Sequence, residues 1–84
     1  LNDTIETGLA KIDSVVVDKL STVYQSAIRN HPDDFYLNLN YLKLLYNFDR
    51  YPEAVTQANI LLNTLPYEYA SYVNLGGMLL GNEQ

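Results

Sequence analysis

HPDDFYLNLNYLKLLYNFDRYPEAVTQANILLNTLPYE, from His31 to Glu68, is the stretch on which the fold turns. Its first half carries Phe35, Leu37, Leu39, Tyr41, Leu42, Leu44, Leu45, Tyr46 and Phe48. That pattern is apolar on more than one side of a helix, as expected of an element packed between neighbours. Proline disfavours helix for the residue before it, so Pro32 interrupts the chain at His31, and Asp33 and Asp34 suit the positive end of a helix that begins near Asp34. Asn47 to Tyr51 is a polar break. Pro52 then fits the first turn of a further helix, where its missing N–H costs nothing. In that helix Ala54, Val55, Ala58, Leu61, Leu62 and Leu65 recur at three- and four-residue spacing until Pro66 closes the run.

Outward from this stretch the same punctuation continues. From Ser14 to Asn30 the residues Val16, Leu20, Val23, Tyr24, Ala27 and Ile28 form one helical stripe. The three valines Val15 to Val17 would also suit a strand, but their spacing runs on into the stripe and no hairpin turn follows. Leu1 to Asp13 reads as a separate helix. A loose capping helix, or one helix continuing unbroken to Asn30, is the alternative, since no glycine or proline lies between Gly8 and His31. Downstream, a last helix is expected from about Tyr67 to Leu80, stopping at Gly81, with Gly76 and Gly77 inside its pattern. The expectation is an all-α chain of about five helices.

Composition bounds what such a chain does. Its 84 residues allow one domain, and 48% apolar against 18% charged residues supports a globular core. The net charge of −5, with Lys11, Lys19, Arg29, Lys43 and Arg50 dispersed, argues against a nucleic-acid partner. Zero cysteines exclude a disulfide framework and a thiolate metal site. No apolar run approaches the roughly 20 residues of a membrane span. The chain begins at Leu1 without the plan of a signal peptide and reads as a segment of something longer.

Pro32 and Pro66 stand 34 residues apart, the period of tetratricopeptide arrays. Other positions keep the step: Asp34 with Glu68, Phe35 with Tyr69, Leu39 with Val73, Asn40 with Asn74, Leu45 with Leu79, Leu20 with Ala54 and Ile28 with Leu62. Two segments, Tyr72-x-x-Leu75-Gly76-x-x-Leu79 and Tyr51-x-Glu53-Ala54 followed by Ala58, Leu61 and Pro66, resemble a tetratricopeptide repeat. The resemblance covers the chain as a degenerate repeat (1–34), a clear one (35–68) and the first helix of a third (69–84). It implies antiparallel helix hairpins stacked as a short right-handed α-solenoid, with Gly76 and Ala54 letting neighbouring helices approach closely. Asn38 departs from the pattern where the second repeat would carry its aromatic, and Leu42 where it would carry glycine. In the first repeat Thr4 and Thr7 replace the aromatic and the leucine.

No enzymatic site is expected. His31, beside Asp33 and Asp34, lacks the converging ligands of a metal site and the nucleophile of a catalytic one, and an inter-helix turn with capping aspartates accounts for it. No phosphate loop or HExxH pattern occurs, and no cofactor is implied. Tyr24, Tyr41 and Tyr72 fall on packing stripes, whereas Tyr36, Tyr46, Tyr67 and Tyr69 are expected to be partly exposed. The resemblance implies that Asn40 and Asn74 face a concave groove and hydrogen-bond a bound peptide's backbone. Lys43 and Asn47 extend that face by helical spacing, and Tyr36 is a further contact candidate. With only Lys43 basic there, and Ala70 and Asn74 in the third repeat, a receptor for carboxylate tails is not expected. An apolar or tyrosine-mediated protein or peptide partner fits better. The alternative is a structural module that self-associates through residues 67–80, completing its last hairpin with another copy or with the rest of its parent chain.

Overall fold

A computed structural model of the chain describes residues 2–81, with side chains described from residue 13 onward. Four helices follow one another: α1 (Asn2–Asn30), α2 (Phe35–Asn47), α3 (Tyr51–Thr64) and α4 (Pro66–Asn74). The described residues contain no strand. Each helix packs on the next. No helix among the described residues is long and apolar enough to cross a membrane.

The two N-terminal helices expected from the sequence are one helix of 29 residues. An interior glycine such as Gly8 costs about 1 kcal/mol relative to alanine. That is too little to justify ending a helix, which strands four C=O groups, and starting another, which strands four N–H groups. The expected stripe on α1 holds in its last turns, where Tyr24 and Ile28 pack on the core, but not before them: Val17 is the buried valine, while Val16, Leu20 and Val23 lie exposed.

Asp34 caps α2, its Oδ1 accepting from the Leu37 N–H at 3.1 Å. The core lies mainly between α2 and α3, where Leu42, Ala54, Ala58 and Leu61 are wholly enclosed. Two small alanines one turn apart on α3 leave room for Leu42, the residue standing where the repeat pattern expects glycine. Asn38, in place of an aromatic, is buried as half of an amide pair. The Gln57 Nε2 donates to the Asn38 carbonyl and to its Oδ1, both at 3.1 Å. The Asn38 Nδ2 donates in turn to the carbonyls of Pro32 and Asp34. A buried amide without such partners would cost roughly 1–3 kcal/mol, so the pair fixes α3 against the start of α2.

Arg50 joins the middle of α1 to the α2–α3 corner. Its guanidinium lies 3.0 Å from the Asp18 carboxylate and donates to Ser14 Oγ at 3.1 Å. With Tyr24 stacked on Tyr41 at 5.6 Å, these contacts set α1 antiparallel to α2.

The last helix ends at Asn74, not near Leu80. Gly76 adopts φ 97°, the Gly77 N–H donates to the Tyr72 carbonyl and the Gly76 N–H to the Val73 carbonyl, each at 3.0 Å. This is the paired closure that a left-handed residue makes at a helix end. A Cβ on Gly76 would meet nothing within 4 Å, so the backbone angle, and not the expected close approach of another helix, requires glycine here. Beyond the turn the chain returns over Tyr69. The Tyr69 hydroxyl donates to the Met78 carbonyl at 3.2 Å and accepts from the Leu80 N–H at 3.0 Å. Tyr69, expected to be partly exposed, is 0% exposed for this reason.

Candidate functional site

Two chain reversals carry α4 back alongside α2, so the two helices run in the same direction and leave a groove of about 380 Å³ between them. Phe35, Tyr36 and Leu39 line it from α2, and Glu68, Ser71, Tyr72 and Leu75 from α4 and its end. Phe35 meets the Tyr72 ring edge-on at 6.4 Å between centroids and Tyr36 edge-on at 5.6 Å. The Lys43 Nζ stands over the Tyr72 ring, 5.7 Å from its centroid. Such an exposed cation–π contact is worth about 0.5–1 kcal/mol. The ammonium thus stands over a ring that lines the groove while remaining open to water.

Of the residues singled out in the sequence, Tyr36, Asn40, Lys43 and Asn47 are all exposed, and their steps of four, three and four place them on one face of α2. Asn74 is exposed as the last residue of α4. Tyr36 and Leu75 are 73% and 89% exposed, unusual for large apolar groups that are not shed into a core. Phe35, Leu39 and Tyr72 read as core in the sequence, and Leu39 is buried in the core with Phe35 and Tyr72 packed against it; what the sequence did not reveal is that they also line this groove. Their one usable signal is that Phe35 and Leu39 lie four apart on the flank of α2 next to the polar face, but which helix lies across that flank is a tertiary fact.

Three other surfaces compete less well. One of about 420 Å³ lies between α1 and the end of α2, lined by Ser14, Val17, Asn47, Phe48 and Arg50 among others, so Asn47 opens onto it and does not line the α2–α4 groove. A groove of about 340 Å³ lies between α1 and α3, but three of its polar groups, Gln25, Tyr41 and Gln57, already serve the fold. There Gln25 donates to the Tyr41 hydroxyl and Gln57 to Asn38. A smaller crevice of about 200 Å³ beside α4 is lined by Leu62, Tyr69, Ala70, Val73, Asn74 and Leu79, so Asn74 opens onto this crevice and does not line the α2–α4 groove. Among the described residues no cluster of three His, Cys, Asp or Glu side chains could hold a metal ion. His31 lies exposed in the turn before α2. Comparison with family models, with curated proteins and with solved structures found no match to this chain.

Proposed function

We propose that this chain is a non-catalytic protein-interaction scaffold of tetratricopeptide-like build, about two and a half repeats long, that receives a peptide or helix on its concave face. The binding surface is the polar face of α2, with Asn40, Lys43 and Asn47, together with Tyr36, Asn74 and the groove between α2 and α4. The observation that carries the reading is the groove itself: Tyr36 and Leu75 are left open to solvent on its two sides, with the Lys43 ammonium over Tyr72. Large apolar groups supply contact area, and side-chain amides supply both a donor and an acceptor for a main chain. The 34-residue step between Pro32 and Pro66 and the buried Ala54 and Ala58 support the family assignment.

The test begins with selection of peptides from a random display library on the full chain, followed by titration against variants. Asn40→Ala combined with Asn74→Ala is expected to weaken the selected peptides about tenfold, or roughly 1.4 kcal/mol. Unchanged affinity would remove these residues from the site.

A second reading, self-association through residues 67–80, draws on the exposure of Tyr67, Leu75 and Leu79 at 84%, 89% and 55%. Sedimentation over a concentration series separates the two. A monomer at every concentration discards self-association, and a dimer that Leu75→Asp dissolves would favour it.

A further inference from the structure

We infer that α1 is a homodimerisation helix, through which two copies of this chain pair antiparallel about a two-fold axis at Val16. The surface is distinct from the α2–α4 groove and from residues 67–80.

The apolar residues of α1 that the core does not take recur every eleven positions. Val16, Leu20 and Val23 are exposed. Ala27 follows Val16 by eleven, and Ile5, Leu9 and Ile12 precede the three by eleven each on the same helix. Eleven residues make three turns of about 3.67, so this register keeps to one face along the helix, the spacing of a right-handed supercoil. The fold leaves that face free. Val17 is buried and Tyr24 stacks on Tyr41 of α2; at about 100° per residue both stand roughly 80–100° round α1 from Val16. Gln25 and Ile28, which line the groove towards α3, stand further round still.

Length makes the same point. α1 has 29 residues and α2 has 13, about 43 Å against about 20 Å. Arg50, beyond the far end of α2, reaches Ser14 and Asp18, so the part of α1 before Ser14 runs past the α2–α3 corner. A helical segment of about twelve residues is marginal in water by itself. A second helix laid along the stripe gives it an apolar face to bury.

Symmetry and charge choose the occupant. Ile5 and Ala27, Leu9 and Val23, and Ile12 and Leu20 are each equidistant from Val16. An antiparallel copy therefore sets apolar against apolar at every step, and Val16 against its own twin. The first half of α1 is net acidic, with Asp3, Glu6 and Asp13 against Lys11, and the second is net basic, with Lys19 and Arg29; Asp18 between them is held by Arg50. Antiparallel pairing lays the acidic half on the basic one, whereas parallel pairing lays like on like, which opposes it. It also keeps the two packed bodies at opposite ends of the pair.

Sedimentation of the full chain from about 1 μM to about 1 mM brackets the affinity, and the wild type is expected to dimerise. Val16→Asp, at a residue outside the core, sets two carboxylates together at the axis. It is expected to weaken the dimer about tenfold or more, with the near-ultraviolet signal of the stacked Tyr24 and Tyr41 intact, while Leu75→Asp leaves the dimer unchanged. Because the sequence has no cysteine, single cysteines report orientation even if Val16→Asp fails to fold. Oxidation should cross-link Val16→Cys with itself. Val23→Cys lies about 20 Å from its twin, too far for a disulfide, and should cross-link only when mixed with Leu9→Cys. Cross-linking of Val23→Cys with itself means a parallel pair and overturns the inference. A monomer at every concentration, or a folded Val16→Asp chain that dimerises as the wild type does, overturns it equally, and each of these results leaves the peptide groove standing.

Discussion

The α2–α3 pair and the C-terminal end from α4 to Gly81 are both packed, but by different forces. Between α2 and α3 the packing is mainly apolar, and Leu42, Ala54, Ala58 and Leu61 are completely enclosed beside the Asn38–Gln57 amide pair. At the C-terminal end the returning backbone bonds the Tyr69 hydroxyl and Met78 and Leu80 are only partly buried against the core, while Leu75 and Leu79 stay in solvent. Burial of apolar area is cooperative and large, whereas hydrogen bonds made in exchange for water are worth about 0.5–1.5 kcal/mol each. The two ends should therefore fail at different cost. Leu42→Ala is expected to destabilise the whole chain by about 2–5 kcal/mol, the range for a buried leucine whose cavity cannot collapse. That is a large part of the roughly 4–13 kcal/mol available to a domain this size. Urea unfolding measures it, and a loss below 1 kcal/mol would mean the α2–α3 interface is not the main core.

Tyr69→Phe probes the other side of the contrast. The ring stays in place, while the Met78 carbonyl and the Leu80 N–H lose their partner. The expected global cost is about 1–2 kcal/mol for two bonds. The local effect should exceed it, with amide exchange at Leu80 rising at least tenfold while Leu42 and Leu61 amides change only in proportion to the global loss. Equal acceleration at all three sites would make the C-terminal return part of the same cooperative unit as α2 and α3.

Within this contrast lies a repeated device. Both α2 and α4 end in the same pair of backward hydrogen bonds: Arg50 N–H to the Leu45 carbonyl and Asp49 N–H to that of Tyr46 in one, Gly77 to Tyr72 and Gly76 to Val73 in the other. The left-handed residue is Asp49 at φ 62° in the first and Gly76 at φ 97° in the second. Since a methyl on Gly76 would touch nothing within 4 Å, Gly76→Ala isolates the backbone term, about 1 kcal/mol. Asp49→Gly relieves that same strain but loses the Tyr51 hydroxyl bond to the Asp49 carboxylate, made at 2.8 Å. Its expected net effect on the melting temperature is near zero. A clear stabilisation by Asp49→Gly would show that the carboxylate contact contributes nothing.

Sequence spacing made α2 and α3 legible because a proline or a capping aspartate marks each start and the apolar runs between are unambiguous. The same spacing misled at both ends. On α1 the set Val16, Leu20 and Val23 is as regular as Val17, Tyr24 and Ile28, and only the position of α2 decides which face is covered. Beyond Asn74 the residues Leu75 and Leu79 keep helical spacing, yet two adjacent glycines make continuing the helix cost about 2 kcal/mol, and the Gly76 turn satisfies the last carbonyls instead. Of the candidate site, the face of Tyr36, Asn40, Lys43 and Asn47 was readable from one helix alone. Its floor of Phe35, Leu39 and Tyr72 was not, because that depends on α4 lying beside α2. Tyr69 was misread because nothing local reveals that a distant backbone will reach its hydroxyl.

The smallest expected effect is a titration at the closure of α2. The Asp49 carboxylate accepts the Tyr51 phenol hydrogen bond and its negative charge opposes the phenolate, with smaller contributions from burial and Tyr46, so the Tyr51 pKa lies above the ordinary 10.0. A pKa raised in the folded state means that the folded chain holds the proton more tightly than the unfolded one. The stabilisation from this pair is thus fully present below pH 10 and is lost as pH rises through the folded-state value. Subtracting the phenolate absorbance titration of Tyr51→Phe from that of the wild type isolates Tyr51 among the eight tyrosines, and its midpoint should fall above 10. Asp49→Asn keeps a residue that tolerates the left-handed angle but removes the charge, so the midpoint should move back towards 10 with the helix end intact. A midpoint that stays put in Asp49→Asn would mean that the carboxylate does not hold the phenol in solution. Asp49 would then be kept at the closure of α2 by its backbone angle alone, as Gly76 is at the closure of α4.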